Sequence, residues 1–348
     1  MTIINGIEID VSPYVADDIR KAILNNSPID NVLHVVAVIS NPCLYARRYI
    51  LAREFINRME KEENVILYVV EMTYGDQKYY VTDKNNKRHL QLNTATPLWH
   101  KENMINVGIK KLLPPSWKAV AWIDADIEFE NPGWALDALK VLNGCRDVIQ
   151  LFSHAVDMDK EENAMSVFPS FGFQYSKGRS TMGNGINMWH PGFAWACSRG
   201  AYNKMGKIYD VSILGAGDRN MALAFLGKGV MSMNGRTTDD YKQSILDFQK
   251  KVVNLRLGYS PGVIRHYFHG SKKNRKYEER WKILVDNAFA PSDHIRENAA
   301  GILVPTPQCP PKLLSDIMNY FLERNEDEGF GPVRKTLPDT TPTPYPYF

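Results

Sequence analysis

The chain has little cysteine. Cys43, Cys145, Cys197 and Cys309 are the four in 348 residues, far apart and with no C-x-x-C pair. That spacing argues against a disulfide scaffold and a thiolate zinc site, and it reads as reduced thiols in an intracellular protein. Long apolar runs are also lacking. No stretch approaches the ~18 apolar residues that a membrane span needs. Net charge is only +3, too small an excess to argue for nucleic acid or an acidic membrane surface as partner. There is no internal repeat. The start, "MTIINGIEID", has neither a basic n-region nor an apolar h-region, so a cytoplasmic protein of a bacterium or a virus-infected host is expected. What is present is ordinary: 44% hydrophobic and 23% charged residues, enough to bury a core in a chain of this length.

The apolar residues are arranged in short β-branched runs. "VLHVVAVIS" (32–40), "VILYVVEM" (65–72), "KAVAWIDAD" (118–126) and "DVIQLFSHAV" (147–156) read as strands covered on both faces. Helical patterns alternate with them. "CLYARRYILAREFINRMEKEEN" carries Tyr45, Tyr49, Ala52, Ile56 and Met59 on one stripe. "HKENMINVGIKKLL" ends at Pro114-Pro115, and "NPGWALDALKVLNG" opens with Asn131 as N-cap and Pro132 at N1. Ser12-Pro13 opens an earlier helix reaching about Asn26. Residues 73–96 read as a loop or edge hairpin and 160–188 as a long loop. Residues 311–324 read as a last amphipathic helix, and "LPDTTPTPYPYF" as an irregular Pro-rich arm. Strand, helix, strand at this spacing is a βαβ unit. The expected fold is therefore α/β: one open, mixed, mostly parallel sheet flanked by helices. It would form one domain over 1–285, with a C-terminal extension over 286–348.

The third strand ends in "WIDADIEFENPGW". In open α/β sheets ligands bind at the carboxyl ends of strands. If the strand persists through Asp126, period two puts Asp124 and Asp126 on one face. Two carboxylates held together repel unless a proton or a cation separates them. Mg²⁺ or Mn²⁺ would do so, and such ions usually carry substrate phosphates as well. The competing reading is a solvated strand-to-helix turn whose acids cap the next helix.

A strand ending in D-x-D within a Rossmann-like half resembles the GT-A nucleotide-sugar glycosyltransferases, and the resemblance covers about residues 30–285. It implies a nucleoside diphosphate sugar donor, UDP-linked, bound across residues 30–150, and a divalent cation on Asp124 and Asp126. It further implies that Ser40 and Arg48 hold the nucleoside and that Glu71 meets base or ribose. Lys101, Asn103 and Asn106 would line the donor pocket from a helix. Lys101 on its own reads equally as a solvated cation on a helix face.

Two later segments extend the likeness. "MWHPGFAWACSRG" and "LGAGDRNMALAFLGKG" resemble the region after D-x-D in β-1,4-galactosyltransferase-like and polypeptide N-acetylgalactosaminyltransferase-like enzymes. There an aromatic segment precedes a Gly-rich loop with an acid that opens a helix. Asp218 is placed as general base, kept ionised by the helix dipole; as residues alone it reads equally as an N-cap. Trp189 and Trp195 would stack on the acceptor, or else belong to the core. "VIRHYFHGSKKNRKYEERW" resembles the I-R-H segment whose His is a metal ligand. His266 matches that position, His269 lies three residues on, and Lys272, Lys273 and Arg275 would face a leaving diphosphate.

The function expected is metal-dependent transfer of a hexose or pentose from a UDP-sugar to an acceptor hydroxyl, with inversion. The acceptor is open between glycan, lipid-linked glycan, protein and modified nucleobase. The rivals are a metal-dependent phosphohydrolase or nucleotidyltransferase, and a non-catalytic carbohydrate-binding protein.

Overall fold

The computed structural model describes residues 2–4, 7–9, 31–143, 145–181 and 189–330. The expected helix over 13–26 and the Pro-rich arm lie outside them. A short hairpin, β1 (Thr2–Ile4) and β2 (Ile7–Ile9), precedes the main body.

Alternation along the next strand, β3 (Leu33–Ser40), shows how the core is divided. Leu33, Val35, Ala37 and Ile39 belong to one apolar cluster and Val36 to another, as a period of two requires. The first cluster is closed by Phe55 and Met59 of the helix Ala46–Met59 and by Trp134, Ala138 and Leu142 of the helix Trp134–Leu142. The second is closed by Met104, Ile105 and Val107 of the helix Lys101–Leu112. Each large side chain buried this way stabilises the fold by roughly 1.5–3 kcal/mol relative to exposure.

The remaining strands are β4 (Val65–Tyr74), β5 (His89–Thr94), β6 (Ala119–Ile123), β7 (Ile127–Phe129), β8 (Val148–Gln150), β9 (His154–Met158), β10 (Ala164–Pro169), β11 (Ala194–Ser198), β12 (Leu257–Tyr259), β13 (Val263–His266), β14 (Ile295–Glu297) and β15 (Leu303–Pro305). Seven of them form the central sheet, in the order β12-β8-β11-β6-β3-β4-β5. Its pairs are parallel except those made by β11, which runs antiparallel to both β6 and β8. The fold class is thus the expected one: α/β, with an open, mixed, mostly parallel sheet flanked by helices. A four-stranded sheet, β10-β9-β13-β7, stands beside it.

Several local expectations are corrected. Residues 73–96 hold no hairpin: β5 pairs parallel to β4, with the polar loop carrying the chain across. The long loop over 160–188 contains β10 and the helix Phe171–Ser176, capped by Ser170, whose hydroxyl accepts from Phe173 N at 3.0 Å. The strand expected over 147–156 divides into β8 and β9, in different sheets. The segment after residue 285 returns to the core. Leu313, Ile317, Tyr320 and Phe321 of the helix Pro311–Glu323 lie in the same apolar cluster as Val36 and Met104.

Candidate active site

Three stretches of chain pass from the larger sheet to the smaller: β6 to β7, β8 to β9 and β12 to β13. Asp124-Ala125-Asp126 is the first crossing. Because β6 stops at Ile123, period two no longer governs these side chains, and the two acids part. This corrects the expectation of one shared face. The crossing is pinned by backbone bonds: Asp124 N donates to Phe193 O at 2.7 Å, and Tyr267 N donates to Asp126 O at 2.9 Å.

Asp126 turns to the histidines. Its Oδ2 lies 3.0 Å from His269 Nε2 and 3.9 Å from His266 Nε2, and the two Nε2 atoms are 3.3 Å apart. Asp126, His266 and His269 each offer one ligand atom within 4.8 Å of the others. His266 ends β13, so its direction is set by the strand. Its Nδ1 lies 2.7 Å from Asp157 Oδ1. An ionised carboxylate only accepts, so Nδ1 carries the proton and Nε2 presents a lone pair. Asp157 sits on β9, the parallel neighbour of β13, opposite His266 in register. Burial would raise the Asp157 carboxyl, but the His266 bond and the Lys272 ammonium hold it well below the usual range. Burial likewise pushes His266 down, and the Asp157 bond only partly offsets it.

These atoms fit a divalent cation. Asp126 Oδ1 is buried and has no hydrogen-bond partner, which is costly unless something absent from the chain satisfies it. One carboxylate and two imidazoles are a donor set suited to Mn²⁺, and a carboxylate on the far nitrogen of a ligating histidine is the usual supporting partner. Burial would raise Asp126, yet His269, its bond and His266 outweigh it and keep the carboxylate ionised at neutral pH.

Asp124 turns the other way. Its Oδ1 is 2.7 Å from Lys101 Nζ, and the same ammonium is 2.9 Å from Asp218 Oδ2. Lys101 is therefore an internal bridge and not a solvated cation; although burial opposes the charge, Asp124 and Asp218 hold it protonated. Asp124 is not brought into the histidine cluster. Burial raises its carboxyl to about 6, against the pull of Lys101.

Asp218 stands in the first turn of the helix Gly217–Phe225. The glycines around it make room. A Cβ on Gly192 would lie 3.0 Å from Asp218 Oδ2, and one on Gly217 would meet Glu102 Oε1 at 2.5 Å. Ala216 and Phe193 flank the site with φ of +75° each, a left-handed conformation that costs a side-chain-bearing residue about 1–2 kcal/mol. Beneath the loop, Glu102 is 3% exposed with one carboxyl oxygen unpartnered. Burial raises its pKa to about 8, Lys101 opposing and Asp218 adding to the rise.

Both clusters open into one cleft of about 690 Å³. Ser40, Asn41, Arg48, Trp189, Met231 and Trp281 are among the residues that line it, and Arg275 and Lys272 reach it beside His269 and Asp157. Ser40, Arg48, Lys101, Lys272 and Trp189 are thus brought to the cleft as expected, though Lys272 is ion-paired with Asp157. Glu71 is not. It is 1% exposed, and its carboxylate accepts from Tyr80 N at 2.8 Å and Thr82 N at 2.7 Å, so it organises the 80–82 loop. Asn103 is not either; it accepts from Leu303 N and donates to Gly301 O, each at 3.0 Å, and so ties its helix to the C-terminal part. Asn106 is likewise spent on Ile208. Trp195 is fully buried, its Nε1 donating to Pro191 O at 2.7 Å, and it belongs to the core with Phe171 and Phe225.

The sequence reading missed Asp157 and Glu326. Asp157 had a faint signal, an acid in an apolar alternation. Glu326 had none. It is 1% exposed, accepts from Arg48 Nε at 2.8 Å and Arg324 Nε at 2.7 Å, and lies 3.7 Å from His269 Nδ1. Arg48 and Arg324 outweigh the burial that would raise it and hold it well below the usual range.

No protein-family model matches the chain, and no curated protein matches it in sequence. Solved structures do resemble it in fold. A mutant Drosophila β1,4-galactosyltransferase 7 in complex with manganese, UDP-Gal and xylobiose is 10% identical, with 78% of this chain and 91% of that one covered at a TM-score of 0.35. TarS of S. aureus, residues 1–349, is 12% identical over 73% and 64%, at 0.34. A 4-diphosphocytidyl-2C-methyl-D-erythritol synthase from Anaerococcus prevotii is 9% identical over 84% and 96%, at 0.30. All three are loose likenesses and say nothing of this chain's own ligands.

Proposed function

We propose that the protein is a GT-A glycosyltransferase that moves a sugar from a nucleoside diphosphate sugar, UDP-linked, to an acceptor hydroxyl with inversion. The observation that carries this is the pair of clusters facing one cleft: a lone-pair triad of Asp126, His266 and His269, and a lysine-bridged acid, Asp218, beside it. Asp126, His266 and His269 would hold Mn²⁺ or Mg²⁺, whose chemistry when bound is neutralisation of diphosphate charge. The nucleoside lies along Ser40, Asn41 and Arg48, and the acceptor against Trp189. Asp218 takes the proton of the acceptor hydroxyl as its oxygen attacks the anomeric carbon. The bond from that carbon to the diphosphate oxygen breaks, and the diphosphate leaves with the electron pair. Lys101 fixes Asp218 and neutralises Asp124 while this happens.

We place the reaction in the cytoplasm. No disulfide joins the four cysteines, and among the described residues no helix is long and apolar enough to cross a membrane. The test is calorimetric titration of UDP with and without Mn²⁺, followed by a donor-hydrolysis screen across nucleotide sugars. The transferase binds UDP at least about tenfold tighter with metal, which corresponds to 1.4 kcal/mol, and hydrolyses one donor class. A carbohydrate-binding protein ignores both UDP and metal. A nucleotidyltransferase consumes a nucleoside triphosphate and leaves the sugar donors intact.

A further inference from the structure

Resting on the metal reading above, one contact within the histidine cluster points further. Arg275 ends the short helical turn Lys272–Arg275, and its Nη2 lies 2.8 Å from His269 Nε2. The same Nε2 lies 3.0 Å from Asp126 Oδ2. A neutral imidazole nitrogen either donates or accepts, and never both. If Nε2 carries a proton, it serves Asp126 and the His266 Nε2 lone pair 3.3 Å away, and opposes the guanidinium N–H. If it carries a lone pair, it serves Arg275 and opposes the carboxylate. The lone pair that Arg275 uses is also the one a metal would need. The guanidinium has one further contact, Nη1 to Tyr277 Oη at 3.3 Å, while Nε is buried without a partner; the backbone is anchored where the Arg275 carbonyl accepts from Tyr320 Oη at 3.0 Å. Lys272, three residues earlier, pairs with Asp157 behind His266. The turn thus sets one cation on each histidine's surroundings.

We propose that Arg275 is a surrogate cation: it occupies His269 Nε2 in the metal-free protein, must leave for a divalent ion to bind, and is then free to meet the diphosphate. The site stays assembled without metal, because a positive group stands among Asp126, His266 and His269. Metal affinity in the absence of nucleotide is correspondingly weakened. A site whose competent form is only fractionally populated loses affinity by that fraction. Metal and nucleotide binding become linked, since the ion releases the guanidinium that the diphosphate then holds, and such coupling is reciprocal.

The experiment is Mn²⁺ binding to the full chain, read as free Mn²⁺ by electron paramagnetic resonance, with and without UDP. Wild type is compared with Arg275→Met, with Arg275→Gln in case the first variant misfolds, and with His269→Ala. Without UDP, Arg275→Met should bind Mn²⁺ about 5- to 10-fold tighter than wild type. Adding UDP should tighten Mn²⁺ in wild type by a larger factor than in the variant. Arg275→Gln should fall on the same side of wild type. Unchanged or weaker Mn²⁺ binding in both arginine variants, with melting temperatures near wild type, overturns the proposal while leaving the metal site intact. Wild-type Mn²⁺ binding that is absent, or that survives His269→Ala unchanged, overturns both the proposal and the metal reading beneath it.

Discussion

On one side of the cleft two carboxylates, Asp124 and Asp218, share the ammonium of Lys101; on the other, one carboxylate, Asp126, faces two imidazoles. The two acids of a single D-x-D meet opposite electrostatic fates. Burial raises Asp124 to about 6 against the pull of Lys101, whereas the histidines keep Asp126 well below the usual range despite its burial. The lysine side is complete in itself, because its cation is covalently part of the chain. On the histidine side one carboxylate oxygen, Asp126 Oδ1, is buried without a partner. Paired acids at a strand end therefore do not imply a shared ion; what stands opposite each one decides.

The comparison is broken most severely at Asp126. Asp126→Asn removes the charged ligand, and kcat/KM at limiting Mn²⁺ should fall about 10³-fold or more, equivalent to about 4 kcal/mol of transition-state stabilisation. Wild-type turnover at limiting metal would remove the ion from this side. Asp218→Asn tests the other cluster. Single-turnover transfer with donor and metal saturating should fall about 10²- to 10³-fold, with Mn²⁺ and UDP affinities unchanged. A rate within about threefold of wild type would leave Asp218 only a partner of Lys101.

Lys101→Met sharpens the contrast by leaving Asp124 and Asp218 without their cation. Urea melts should show a loss of about 2–3 kcal/mol, below the figure for a fully buried pair because both acids keep some exposure. Adding Asp124→Asn should restore part of it; no recovery would mean that the lysine acts through packing. The smallest effect on turnover belongs to Glu102→Gln. Glu102 has a folded pKa raised to about 8 from an ordinary 4.5. Its contribution to stability is present below about 4.5 and is lost as pH rises through about 8. The glutamine variant mimics the protonated acid, so it should match wild type near pH 4.5 and melt higher than wild type at pH 8. Parallel stability curves for the two proteins would show that Glu102 is not held protonated.

Much of the fold could be read from order and period. The β-branched runs became β3, β4, β6 and β8, and the stripe of Ala52, Ile56 and Met59 became a buried helix face, because burial on one or both faces writes a local pattern. The failures were also physical. Residues 164–169 make a strand with an exposed N-terminal part, so the apolar signal was weak. Glu71, Asn103 and Trp195 have the right residue types at the right places along the chain, yet each is consumed by a neighbouring loop, a carbonyl or the core. Residue type names a capacity, and only the partners show how it is used.

By itself, then, the sequence determined the α/β order, the strand end that carries Asp124 and Asp126, and the presence of His266 and His269 on one short segment. These follow from local spacing. Only the tertiary structure decided that Lys101 pairs with both Asp124 and Asp218, and that Asp157 orients His266. It alone brought Glu326, 278 residues beyond Arg48, under the same cleft. These choices depend on which strand crosses to the second sheet and where the last helix packs. Most are set by contacts between residues a hundred or more positions apart, as for Lys101–Asp218, Asp157–His266 and Arg48–Glu326, for which a linear pattern carries no signal.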